Sequence, residues 1–336
     1  MSRRAKDAVV PAAILAIAIL ASPAAGQAQV IAGPLMLEAK ILLGEVRGRI
    51  DHLSIDIKRQ RLFVAELGNN TLGVVDLAAG KVMRRIEGLS EPQGVAYVPF
   101  ADSVYVANGG DGSVWVLRGE DLASVGRIEL GDDADNVRAD VQRNRVLVGY
   151  GKGALAVIDP ESRTQTADLR LKAHPESFQI DETGSQVFVN VPDAREIEVV
   201  DLAADGYLSW PTLAAGSNFP MAIDGGAHRV LVAFRSPPTL MAFSSRDGSI
   251  IAKPEICGDA DDVFVDPRRH RLYVSCGEGM VDVLEQDGAG YRRFAQVPTV
   301  SGARTSLFVP RARPAVCGSA GGVNEPAAIW VFRPAS

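Results

Sequence analysis

The chain repeats itself about every 42 residues, and this period constrains the fold more than any other feature. Strand-like segments begin at Leu62 (LFVAE), Val104 (VYVAN), Val146 (VLVGY), Val187 (VFVNV), Val230 (VLVAF), Leu272 (LYVSC) and Ala315 (AVCGS), at intervals of 42, 42, 41, 43, 42 and 43 residues. So steady a period, built of strands, predicts an all-β chain folded as a seven-bladed β-propeller. No repeat has room for a crossover helix, which excludes a parallel α/β arrangement.

Each unit divides into four segments. The first reads LSIDI, RLFVAE, TLGVVD and KVMRRI, with apolar or β-branched residues at mostly alternate positions. The breaks carry turn residues: Lys58-Arg59-Gln60, Gly68-Asn69-Asn70 and Ala79-Gly80. The blades are therefore four-stranded and antiparallel. The seventh repeat stops short: after Ile329-Trp330-Val331-Phe332 the chain ends at Ser336, with no fourth strand. A spare strand, Ala39–Leu43, stands at the other end, and it is expected to complete the last blade and close the ring.

The stretches RLFVAELGNNTLGVVDLAAGKV and SVYVANGGDGSVWVL resemble the YVTN repeat of bacterial secreted propellers, the YncE-like group. The resemblance spans about residues 35–336, although YVANG becomes FVNVP in blade four and VAFRS in blade five. It implies an exported seven-bladed propeller that acts as a binding or interaction module, and it supplies no catalytic motif.

Residues 1–28 read as a secretory signal, with Arg3, Arg4 and Lys6 ahead of an apolar run from Val9 to Leu20 and a small-residue cleavage site at Gly26-Gln27-Ala28. That run is shorter than the roughly 20 residues a membrane span needs, so no stable membrane span is expected. The destination is the periplasm or the exterior. The mature propeller is placed at 35–336. Loss of residues 1–28 removes three bases and one acid, taking the net charge from −6 to −8. This excludes nucleic acid as a partner. No coiled coil, long tail or low-complexity segment points to assembly, so a monomer is expected. The three cysteines, Cys257, Cys276 and Cys317, show no disulfide framework and read as small buried residues, although export would permit one bridge. No C-x-x-C-H occurs, which removes the usual haem attachment.

The loops entering the first strand of each blade form one rim of the channel, so equivalent loop positions make rings in space. Eleven residues before the anchors stand Asp51, Gln93, Asp135, Glu176, Phe219, Asp261 and Arg304. One residue later stand His52, Gly94, Asn136, Ser177, Pro220, Asp262 and Thr305; two residues earlier stand Arg49, Glu91, Asp133, His174, Ser217, Asp259 and Gly302. The loops GDDADNV and GDADDV echo one another three blades apart. Converging carboxylates raise one another's pKa values or attract a cation. The candidate ligand-binding residues are Asp51, His52, Asp135, Asn136, His174, Glu176, Asp261, Asp262 and Arg304, with Arg49 and Arg138 tuning the pocket and Phe219 or Met221 giving it an apolar wall.

Several readings of this ring compete. The acids can cap turns as Asx motifs. They can hold a small polar or cationic ligand. Asp51, Asp135, Glu176, Asp261 and Asp262 offer an oxygen set suited to calcium, whereas no close His or Cys spacing supports a transition metal. His52 beside Asp51, or His174 near Glu176, would supply acid–base groups to a channel-mouth hydrolase or lyase of lactonase type. No nucleophile motif such as G-x-S-x-G is present. A scaffold binding a partner protein on its outer face is the remaining class. His228 and His270 lie in tight turns, and Gly109-Gly110-Asp111-Gly112 reads as a hairpin turn, so none joins the site.

Overall fold

The computed structural model describes residues 33–202, 206–310, 315–322 and 325–335; within 315–322 and at 325 it describes the backbone course alone. The signal-like segment 1–28 and the Cys317 side chain lie outside the described residues. Seven four-stranded antiparallel sheets follow one another along the chain. Blade one consists of Leu53–Asp56, Arg61–Glu66, Thr71–Asp76 and Lys81–Ile86, matching the segments read from the first repeat.

The apolar alternation assigns each side of a strand to a different neighbour, because successive side chains point to opposite faces. Phe63 and Ala65 pack towards blade two with Val95, Val104 and Val106. Leu62 and Val64 face the other way, against Ile41, Leu43 and Ile329 of blade seven. Covered on both faces, the second strand Arg61–Glu66 has its four central residues fully buried. The outermost strand Lys81–Ile86 alternates and stays largely exposed. The same division recurs round the ring, with a hydrophobic cluster at each of the seven junctions between adjacent blades.

Ring closure takes the expected form. The last sheet runs Ser306–Val309, Ala315–Gly322, Glu325–Pro334 and then Leu35–Gly44. Leu35 lies opposite Pro334, and Ile41 opposite Ile329. The first strand thus serves as the outer strand of the last blade, and its buried Ile41 and Leu43 join Leu53 and Leu62 of blade one in a single cluster. Among the described residues no helix is long and apolar enough to cross a membrane.

The reading of the cysteines as mere packing residues is corrected for two of them. Cys257 and Cys276 form a disulfide, with Cα atoms 5.9 Å apart, a spacing that admits the bond. The bridge ties the loop leading into blade six to the end of that blade's second strand, Arg271–Cys276. The Cys257 N–H also donates to Asp282 Oδ2 at 2.8 Å. Sequence order hides this pairing, because the loop and the strand end meet only when the blade folds.

Two outcomes are expected. Deleting Leu35–Leu43 should abolish the cooperative thermal transition of the whole ring, and Leu43→Ala, at a side chain 1% exposed, should cost about 3 kcal/mol in chemical denaturation; an unchanged melt after the deletion would refute closure by this strand. Cys276→Ser should lower stability by about 3 kcal/mol, the scale for a bridge closing a loop of this size, and reduction of the wild-type protein should reproduce that loss.

Candidate functional site

β-Bulges build the ring at the channel mouth. In five blades the residue two positions before the ring residue turns left-handed: Glu91, Asp133, Ser217, Asp259 and Gly302 have φ of 50, 31, 58, 59 and 88°. In four of these the ladder then slips, between Pro92 and Val95, Ala134 and Val137, Asn218 and Met221, and Ala260 and Asp262. The residues caught in the slips include Gln93, Asp135, Phe219 and Asp261. A bulge breaks the strict alternation and re-aims side chains. Here it turns one polar or aromatic residue per blade into the channel.

Asp51 and Glu176 are fixed through the backbone instead. The Asp51 N–H donates to the Ala65 carbonyl at 2.8 Å, and the Glu176 N–H to the Asn190 carbonyl at 3.0 Å. Space is tight where the second strand of a blade ends beside its entry loop. A Cβ on Gly109 would sit 2.0 Å from Gln93 Nε2, and one on Gly277 would sit 2.0 Å from Asp259 Oδ2.

All seven residues of the central ring line one cavity of about 190 Å³, joined by Arg49, Asp133 and His174 from the preceding ring and His52, Asn136 and Ser177 from the following one. Of the nine residues singled out in the sequence, eight face this cavity, and Asp262 does not. Asp261 occupies the slip, whereas Asp262 resumes the ladder opposite Ser275. Its carboxylate turns to blade seven and accepts the Ser306 N–H at 2.6 Å. Phe219 lines the cavity, while Met221 belongs to the core between blades four and five. Arg138 stays behind the wall, with Nη1 donating to the Val137 carbonyl at 2.9 Å. The glycines at 109–112 form a hairpin turn between Ser103–Asn108 and Ser113–Arg118, as read from the sequence.

Arg235, which the ring arithmetic missed, also lines the cavity. It ends the second strand of blade five, where blades two, three and six carry Gly109, Gly151 and Gly277. The departure of VAFRS from the repeat was the signal that marked it. Its Nε lies 3.2 Å from Asp259 Oδ1, its Nη2 pairs with Asp261, and its guanidinium carbon lies 4.0 Å from the centre of the Phe219 ring. Arg304 closes the cluster, 2.9 Å from Asp259 and 3.1 Å from Asp261. Blades five to seven thus contribute a paired network of two arginines and two aspartates.

The opposite wall is acidic and less satisfied. Arg49 Nη2 lies 2.8 Å from Asp51 Oδ2, an ion pair without hydrogen-bond geometry. Asp135 Oδ1 and Asn136 Oδ1 are buried and have no hydrogen-bond partner. His52 Nε2 stands between two acids, 4.0 Å from Asp51 and 3.9 Å from Asp135, too far to bond either. His174 Nδ1 lies 2.6 Å from the Gly151 carbonyl, so that nitrogen carries the proton, and it is 3.7 Å from Asp133.

This arrangement reorders the proton affinities. Burial raises Asp51 to about 6, opposed by Arg49, Arg304 and Arg235. Burial raises Glu176 to about 7, with His174 opposing and Asp261 adding to the rise. Burial and the neighbouring Asp51, Glu176 and Asp133 push Asp135 well above the usual carboxylate range. Burial and Asp51 raise Asp261 as well. Burial lowers His52 to about 4, and the charge on Arg138 adds to the effect. The mouth therefore holds a neutral imidazole at neutral pH, among acids that bind their protons more tightly than ordinary carboxylates.

Among the described residues, no three His, Cys, Asp or Glu side chains converge closely enough to hold one metal ion. The oxygen set suited to calcium is dispersed, because Arg235 and Arg304 intervene at Asp261 and Asp262 turns away. What remains is a small polar cavity with acceptors on one wall and paired charges on the other.

Solved structures share the architecture. Hydrazine synthase of Kuenenia stuttgartiensis is similar with a TM-score of 0.74 and 16% identity, over 88% of this chain and 96% of that one. A chain of the mitotic checkpoint complex is similar with a TM-score of 0.77 and 12% identity, over 96% of this chain and 100% of that one. At such identities the likeness is one of fold. No family model matches the chain, and comparison with curated proteins finds no match. By its seven radial sheets and by these neighbours, the chain is a β-propeller.

Proposed function

We propose that the protein is a binding propeller whose channel mouth takes a small cationic ligand rich in hydrogen-bond donors, in the simplest case an amine. One observation carries this reading: Asp135 Oδ1 and Asn136 Oδ1 are buried in the cavity wall without a donor. Buried acceptors are nearly always satisfied, and leaving one unmet costs about 1–3 kcal/mol. An ammonium group would supply the donors and relieve repulsion among Asp51, Asp135 and Glu176. The arginines do not compete for that place, since Arg49, Arg235 and Arg304 are paired with Asp51, Asp259 and Asp261. The cavity is smaller than the ~300 Å³ at which ordinary ligand pockets begin, which favours a small molecule.

The signal-like start of the chain, the YVTN-like repeats and the Cys257–Cys276 bridge together support an exported member of the YncE-like group, acting in an oxidising compartment. A second reading, a channel-mouth hydrolase or lyase, has one observation in its favour. His52 is driven down and Glu176 up, and such divergence separates a neutral base from a protonated acid. Turnover of lactones, esters or phosphodiesters that disappears in His52→Ala and Glu176→Gln would establish it.

For the binding reading, ethylenediamine should raise the melting temperature of the wild-type protein but not of Asp135→Asn. Its affinity should rise about tenfold as pH increases through 6 and 7, because protons leaving Asp51 and Glu176 vacate the charges that hold the cation. Equal response of wild type and Asp135→Asn would reject the site. Without ligand, the raised pKa of Glu176 gives stability that is full below about 4.5 and is lost as pH rises through about 7. Glu176→Gln should remove this dependence and gain about 2 kcal/mol over wild type at pH 8, after allowance for screening by water in the channel.

A further inference from the structure

On the turns at the far end of the blades' first strands, junctions between blades are stapled by arginine. Three residues before the anchors stand Arg59, Arg143 and Arg269 in blades one, three and six. Arg59 spans its own Asp56 at 2.8 Å and, through two nitrogens, Asp102 of blade two at 2.7 and 2.8 Å. Arg143 donates to the Thr183 and Gly184 carbonyls of blade four, and Arg269 to the Ala335 carbonyl after the third strand of blade seven. Blade five has Ala227 at this position, and blade six presents His270 where blade two presents Asp102.

The junction of blades five and six holds a cleft of about 480 Å³. The junction of blades one and two is hollow too, about 520 Å³, but its two acids, Asp56 and Asp102, are paired by the Arg59 staple. The second arginine of that junction, Arg61, is satisfied as well, with Nη1 donating to the Gly119 and Glu120 carbonyls at 3.0 Å each. Arg229 is the equivalent of Arg61 in blade five, and its situation is different. It is 7% exposed, lines the cleft, and its Nη1 has no hydrogen-bond partner. Its guanidinium carbon lies 5.1 Å from the centre of the Tyr291 ring. Among the described residues no acid approaches it within ion-pair distance. Asp224, which faces Arg229 across the ladder, is held by the Ala227 N–H at 3.1 Å and, from blade six, by the Tyr291 hydroxyl at 3.5 Å. Asp266, across the cleft, is paired with Arg269.

A water molecule could accept a hydrogen bond from Nη1, but it would leave a buried charge uncompensated, and buried charges are paired. We propose that this cleft is a second ligand site, separate from the channel mouth, and that it binds a small oxyanion, a carboxylate or a phosphate, on Arg229. Arg271 and His270 on the blade-six side also line it, and Arg271 is already paired with Glu285 at 3.5 Å, which leaves Arg229 as the unpaired cation. The geometry suits an anion because a guanidinium offers two oxygens a fork of parallel donors. The ligand would do at this junction what Arg59 does between blades one and two: join two blades by charge.

Calorimetry with inorganic phosphate and with acetate, at constant ionic strength, tests the proposal. Saturable binding of either anion by the wild-type protein is expected, with affinity reduced about tenfold or more in Arg229→Gln. Binding of phosphate alone would assign the class to phosphates, and binding of acetate as well would extend it to carboxylates. A second measurement does not depend on the variant folding: in the wild-type protein the Arg229 Nε–H resonance should shift saturably with the added anion. Undiminished phosphate affinity in Arg229→Gln would overturn the proposal, as would a stationary Arg229 resonance while phosphate binds. The absence of saturable binding of either anion would overturn it too.

Discussion

The structure depends on the fact that no blade can bury both of its faces alone. Phe63 and Leu62 are neighbours in sequence yet belong to different clusters, one shared with blade two and the other with blade seven. Each sheet is a thin plate with an apolar side to either hand, and it is stable only between two others. The number of blades then follows from the number of repeats, and the closed ring follows from the need to cover the first and last plates. Stability is spread over the junctions, so a weakness at one of them is felt by the whole ring.

A ring held together at its junctions leaves its axis free for other chemistry. The strands stop at the channel, and the bulges at Gln93, Asp135, Phe219 and Asp261 redirect residues that regular pairing would have kept in register. Burial there raises Asp51, Asp135 and Glu176 above the carboxylate range, and neighbouring acids add to the rise at Asp135 and Glu176. This is a local departure from the uniform repeat, and the blades differ from one another most at these same positions. Repetition builds the frame, and the exceptions to it carry the chemistry. The disulfide extends this principle, since Cys257 and Cys276 flank the loop that sets Asp259 and Asp261 against Arg235 and Arg304.

The architecture was legible because period and alternation both survive the drift of individual residues. The interval between anchors located the ring positions, and all seven residues placed eleven before an anchor face one cavity. What could not be read was direction at single-residue resolution. Asp261 and Asp262 are alike in sequence, yet a bulge turns one to the channel and leaves the other bonded to Ser306. Arg235 came from a different part of the repeat, where a residue type was substituted at constant spacing, so a count of intervals passed over it. The disulfide was hidden for a related reason: Cys276 sits in the repeated strand, but Cys257 lies in a loop with no counterpart by which to align it.

The closure of blade seven fixes an order of events. Leu35 and Pro334 are partners in one sheet although almost the whole chain lies between them. The strand that leaves the ribosome first is therefore the one that must wait longest for its mate, with its hydrogen-bonding edge open and Ile41 and Leu43 uncovered in the meantime. Six blades can stack progressively as they appear, each on the one before. The final pairing cannot begin until Glu325–Pro334 has been made, and its loop-closure entropy falls in one step at that point. Between those two moments the chain is an open arc with a sticky end, and the time spent as an arc measures its exposure to aggregation.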